Sequence, residues 1–135
     1  SLINGLDSVL DMILKEGLDN ILKRHARLAH ATRESMKAIG LELFSKRPSN
    51  AVTAVKVPQG VDGSGIVKKM RDEQGITIAG GQSEMKGKIF RVAHLGYMDE
   101  YDTITAIAGL EVVLKQLGYN VKLGAAVAKA EELLF

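Results

Sequence analysis

The chain has no cysteine and no tryptophan, and aromatic residues make up only 4% of its 135 positions. Without cysteine, disulfides, thiolate zinc sites, thiol nucleophiles and cysteine-ligated metal clusters are excluded within this sequence. Scarce aromatics argue against a stacking platform for nucleic-acid bases. Charge of one sign is lacking too: eighteen basic against sixteen acidic residues give a net charge of +2. That is too balanced for the basic footprint that a polyanion requires, so no nucleic-acid partner is expected. No run of eighteen apolar residues occurs, which excludes a helical membrane span. A secretory signal is also missing, because Asp7, Asp11, Lys15 and Glu16 interrupt the early apolar residues. Together with the absence of disulfides this fits a cytoplasmic protein.

What is present is an apolar fraction of 46% in a length suited to one domain with a real core. Apolar residues recur with helical spacing from Leu6 through Leu10, Ile13, Leu14, Ile21, Leu22, Leu28 and Met36 to Ile39. Gly17 is the internal weak point, where a kink or break is expected, and Gly40 is the expected cap. A continuous unit of that length would extend about 50 Å, whereas a domain of about 100 residues has a radius of gyration near 13 Å. The segment Leu6 to Leu14 should therefore overhang and expose its stripe, which calls for a partner. The chain also opens on Ser1-Leu2-Ile3, directly in amphipathic pattern, and is expected to be a piece of a larger protein.

After residue 40 the pattern changes. Leu41 to Phe44, Ala51 to Val57, Ile76 to Ala79 and Ile89 to Ala93 read as short strands. Asp62 is placed to cap a helix carrying Ile66, Val67 and Met70, and Asp99 one carrying Ile104, Ile107, Leu110 and Leu114. Gly124 to Leu134 reads as a last helix. The predicted order is α-β-β-α-β-β-α-α. This is an α+β domain with a small, mainly antiparallel sheet and helices on one face, over residues 40–135, preceded by a long helical unit over residues 1–39.

Few side chains are candidates for chemistry. Gly60, Gly63 and Gly65 precede a helix, yet neither Walker spacing nor G-x-G-x-x-G is present, so a turn capped by Asp62 is the better reading. His25 and His30 are five apart, off the i, i+4 spacing of paired metal ligands, and read as polar helix residues. His94 follows a strand and reads as structural. Asp99, Glu100 and Asp102 crowd a helix N-terminus, where capping accounts for them. No residue stands out as catalytic and no metal site is expected. Arg91 is different. It sits in the middle of the apolar strand Gly87-Lys88-Ile89-Phe90-Arg91-Val92-Ala93. A fixed guanidinium on a rigid strand suits a carboxylate or phosphate. Snorkelling to the sheet surface or pairing with an acid would also satisfy it. Gly80, Gly81 and Gln82 link that strand to its neighbour, and their backbone can come close to a ligand or form a simple turn.

These pieces, in order, resemble the C-terminal small domain of class V aminotransferases, the fold-type-I pyridoxal-phosphate (PLP) enzymes of the alanine–glyoxylate and serine–pyruvate group. The resemblance is carried by Asp19 to Arg27 (DNILKRHAR), Ala38 to Leu41, Val52 to Val55, Pro58 to Asp62 (PQGVD), Gly75 to Gln82 (GITIAGGQ), Gly87 to Gly96 (GKIFRVAHLG) and Ala108 to Glu111 (AGLE). It implies that Arg91 binds the substrate's α-carboxylate and that Gly80, Gly81 and Gln82 lie near the active-site cleft. It also implies that the Schiff-base lysine and the phosphate-binding residues belong to a large domain missing here. Lys86 and Lys88 sit in polar, glycine-broken sequence and read as solvated. The expected partners are a small amino or keto acid, the large domain and a second subunit. A free-standing module that binds a small acid is the alternative. The label of soluble hydrogenase subunit, attached to some of the family, has no support here, since no cysteine can ligate an iron–sulfur or nickel–iron centre.

Overall fold

A computed structural model describes all 135 residues. The chain folds as helices α1 (Leu2–Glu16) and α2 (Leu18–Ala38), strand β1 (Val52–Lys56), helix α3 (Gly63–Gln74), strands β2 (Ala79–Gly80) and β3 (Ile89–Ala93), then helices α4 (Glu100–Gln116) and α5 (Ala125–Leu134). A 3-10 turn, Ser83–Met85, lies between β2 and β3. No helix is long and apolar enough to cross a membrane.

The expected weak point at Gly17 is a true break. Its φ of 85° and ψ of 131° lie outside helical space and are open to glycine at little steric cost. Arg24 fixes the elbow that results. Its Nε and Nη2 donate to the two Glu16 oxygens at 2.7 and 2.9 Å, and its Nη1 donates to the carbonyls of Gly96 and Met98. The bidentate pair holds Glu16 below the usual carboxylate range. Beyond the elbow α1 contributes no buried residue, and Leu2, Ile3, Leu6, Val9, Leu10 and Leu14 are exposed. The expected overhang is therefore present. From Leu28 onward α2 turns inward, and Leu28, Ala31 and Met36 join the main core with Phe90, Leu110 and Leu114.

The sheet is antiparallel, in the order β1-β3-β2. It has three strands where four were expected. Leu41 to Phe44 forms only a bridge between Leu43 and Val55, because the chain leaves the sheet after the bond from Phe44 N–H to Ala54 C=O. Ile76 to Ala79 is also shorter than its apolar run suggests. Gly75 ends α3 in a left-handed conformation, and Ile76 N–H is spent on the Met70 carbonyl. Ladder pairing begins only at Ala79, opposite Arg91.

Alternation along the strands divides the sheet into unequal faces. Thr53, Val55, Phe90 and Val92 are buried on the side covered by α2 and α3. Val52, Ala54, Arg91 and Ala93 belong to the opposite side, which no helix covers. Helices on one face were expected, and that is the arrangement found.

At the start of α3, Asp62 Oδ1 accepts from Ser64 N–H at 3.0 Å. A Cβ on Gly63 would lie 2.3 Å from the Gly87 carbonyl oxygen. A carboxylate and a carbonyl thus crowd this N-terminus and oppose an anion there, in line with the capped-turn reading of Gly60, Gly63 and Gly65.

Candidate substrate-carboxylate site

Arg91 occupies the centre of the central strand. The register sets Ala54 on one side of it and Ala79 on the other. Methyl groups on both flanks leave the guanidinium unobstructed on the open face. Its Nε donates to the Gly80 carbonyl at 3.0 Å. Neither terminal nitrogen has a partner in the protein, and Arg91 enters no ion pair. The side chain is half-buried in a concave patch of about 300 Å³ lined by Val52, Thr77, Ile78, Ala79, Arg91 and Ala93. An apolar patch with one oriented cation and two free donors side by side fits a carboxylate in bidentate geometry.

A larger recess, about 530 Å³, opens at the helix elbow between Met12, Glu16, Arg24 and Tyr97. Its guanidinium is a poor receptor. Arg24 already serves Glu16 and two carbonyls with all three nitrogens. Charge alone would not separate Arg24 from Arg91; partner count does.

Gly80 and Gly81 lie beside the arginine, and the structure gives them a definite task. Gly80 presents the carbonyl that orients Arg91, and Gly81 N–H donates to the Ile89 carbonyl at 3.0 Å. Gln82 is exposed, and its carbonyl accepts from Met85 N–H in the 3-10 turn.

His94, at the end of β3, lies wholly on the core side. Its Nε2 shares a 2.8 Å hydrogen bond with Thr53 Oγ1. Burial pushes the imidazole down to about 4, with the Arg33 guanidinium and His25 adding to the effect. The residue is structural, as read from sequence. It is neutral in the fold above that value, while in the unfolded chain it titrates near 6.5. Protons therefore bind the unfolded state preferentially between the two, and stability present above about pH 6.5 is lost as pH falls through about 4. The loss attributable to His94 is about 3 kcal/mol. His94→Gln, which keeps a polar partner for Thr53, should flatten the urea-midpoint curve between pH 7 and 4.5. A variant curve parallel to that of wild type would refute this role.

His30 is exposed, consistent with a polar helix residue. His25 differs, because its Nε2 is shielded and has no partner. Asp99 and Asp102 form a reciprocal capping box on α4, with side-chain to backbone distances of 2.9 and 3.1 Å. Glu100 pairs with Arg27 of α2. Two structural roles escaped the sequence reading: the Arg24 elbow and Glu111. The latter is a buried α4 carboxylate that receives the N–H groups of Gly124 and Ala126 at the start of α5.

No protein-family model matches the chain. It is 42% identical over 136 residues to serine–glyoxylate aminotransferase of Arabidopsis thaliana, covering 98% of this chain and 34% of the relative. It is 44% identical over 137 residues to a protein of Synechococcus named soluble hydrogenase, small subunit, covering 99% of the chain and 35% of the relative. The backbone matches pyridoxamine–pyruvate aminotransferase from Mesorhizobium loti with a TM-score of 0.92 at 31% identity, over 97% of this chain and 34% of that one. The chain spans about a third of the length of the curated relatives it matches. By sequence over almost its whole length, and by fold, this chain belongs to the class V aminotransferases and corresponds to their small domain.

Proposed function

We propose that this chain acts as the small domain of a PLP-dependent aminotransferase that moves an amino group between a small amino acid, such as alanine or serine, and a keto acid, such as glyoxylate or pyruvate. In this reading Arg91 grips the substrate's α-carboxylate. The observation that carries it is the guanidinium on the open sheet face, oriented through Nε and with both terminal nitrogens unengaged. A carboxylate bound there is fixed at two points, so the remainder of the substrate projects in one direction from the sheet. The alanines beside Arg91 keep the approach clear.

The residues present do not fit the cofactor itself. No lysine lines the patch around Arg91, and Lys86 and Lys88 are exposed. The cofactor would be held by a larger domain facing this sheet, with a second subunit and the cytoplasm as the expected setting. The apolar face of α1 supports such a partner, since Leu2, Ile3, Leu6 and Leu14 on that helix stay largely exposed. For the same reason a free-standing acid-binding module is the poorer reading.

The test is complementation. Mixed with PLP, the chain should retain no absorbing adduct after dialysis and should transfer no amino group. Joined to a class V large domain, it should support transamination. An active, dialysis-stable chromophore on the chain alone would overturn the reading.

A further inference from the structure

Gly81 sits where three backbone segments meet. Its N–H is bound to the Ile89 carbonyl of β3, while the preceding residue presents the carbonyl that receives Arg91 Nε. On its other side the 3-10 turn folds back over it. A Cβ built on Gly81 would lie 1.9 Å from the Met85 carbonyl oxygen, 2.5 Å from its carbon and 3.0 Å from Ile89 Cγ1. Two of those three atoms are backbone, so no side-chain rotation relieves the clash. The turn is itself tied down. Met85 N–H donates to Gln82 C=O, Lys86 N–H to Ser83 C=O, and Lys88 N–H to Met85 C=O. It also holds Ser83 at a φ of 46°, a region where non-glycine residues are uncommon. Gly80 contrasts with its neighbour. A Cβ there would meet only Val67 Cγ2, at 3.4 Å, an ordinary contact.

We propose that Gly81 and the Ser83–Met85 turn form a backbone clamp that positions Arg91, with Gly81 required because only hydrogen fits between Met85 and β3. The clamp fixes the Gly80 carbonyl, the carbonyl fixes Nε, and the two terminal nitrogens are thereby aimed off the open face. The substrate-facing part of this inference rests on the carboxylate reading of Arg91. The clamp itself does not.

The experiment is NMR on the 15N-labelled chain, following the arginine Nε–H resonances, with that of Arg91 assigned by its disappearance in Arg91→Lys. In wild type and in Gly80→Ala, the Arg91 Nε–H should exchange with solvent at least about tenfold more slowly than that of exposed Arg47. In Gly81→Ala the protection should vanish while the core amides of Phe90 and Val92 stay protected. Lys86→Pro is a second route. It suits the φ of −57° at that position but removes the bond to Ser83 C=O and disfavours the helical conformation of Met85. It should weaken the same protection even if Gly81→Ala does not fold. Fast exchange in wild type, or full protection in both loosened variants, would overturn the clamp. Acetate titration on the same samples separates the two claims. An Arg91 signal in wild type that responds to acetate, with a response weakened about 10- to 100-fold in the loosened variants, supports clamp and carboxylate reading together. A wild-type signal indifferent to acetate, with protection lost as described, supports the clamp and removes the carboxylate reading.

Discussion

Replacing Arg91 by alanine in an aminotransferase carrying this domain should raise KM for the amino or keto acid by about 10- to 100-fold. A charge-assisted pair is worth about 1.5–3 kcal/mol, and each 1.4 kcal/mol is a factor of ten. The fall in kcat/KM should exceed the rise in KM, because a carboxylate held at one point leaves the reacting end of the substrate free to wander. Arg91→Lys keeps the charge and still should not rescue the enzyme. One ammonium cannot donate to the Gly80 carbonyl and also offer two parallel N–H groups to a carboxylate. Steady-state kinetics with the acid and with its methyl ester provide the check. The ester should be nearly indifferent to the substitution, and an equal loss for both, or none for the acid, would contradict the assignment. Fold damage is a poor alternative explanation, since Arg91 lies on the uncovered face and enters no ion pair.

Arg91 stood out in sequence as a candidate because a permanent charge within Ile89-Phe90-Arg91-Val92-Ala93 needs a reason, and the family resemblance pointed that reason toward a carboxylate. The elements around it were legible where side chains determine them: Asp62 and Asp99 as caps, Gly17 as a break, and the core stripe of α4. What sequence concealed is mostly backbone. The partner of Arg91 Nε is a carbonyl, and any residue at position 80 would have one. Of the strand expected over Ile76 to Ala79 only Ala79 pairs in the sheet, and the N–H of Ile76 goes instead to a helix-closing bond to Met70, a contest between two backbone acceptors that apolar pattern cannot register. Leu41 to Phe44 had the composition of a strand but only enough chain for one bridge before Ser45 and Pro48 turn it away. Sequence sets Arg91 in an apolar strand and Arg24 in a polar helical run, but only the structure shows that Arg24 is saturated with partners and that Arg91 has open terminal nitrogens.

Glu111 illustrates the same limit and carries the second large expectation. The run Ala106-Ile107-Ala108-Gly109-Leu110-Glu111-Val112-Val113-Leu114 is apolar around most of the helix, and an acid inside it is the signal that sequence offered. The structure accounts for the acid. The carboxylate is only 2% exposed and accepts from Gly124 N–H at 2.6 Å and Ala126 N–H at 2.5 Å. These are donors that the first turn of α5 leaves unpaired, and the helix dipole adds to the attraction. That turn is anchored nowhere else by a side chain, because its N-cap is glycine. Glu111→Ala removes both bonds and strands a buried N–H at Ala126, at a cost of about 3–5 kcal/mol. In a domain of this size that lowers Tm by about 10 °C or more. Glu111→Gln retains one acceptor oxygen and should lose roughly half as much. The damage should begin at α5, whose Ala126, Ala130 and Leu134 pack into the core and whose Leu134 carbonyl receives Arg27 Nη1. Hydrogen exchange at the Ala128 and Lys129 amides should then accelerate well ahead of that at Phe90. Uniform acceleration across α5 and β3, or a Tm within a degree of wild type, would mean that the carboxylate does not hold the helix.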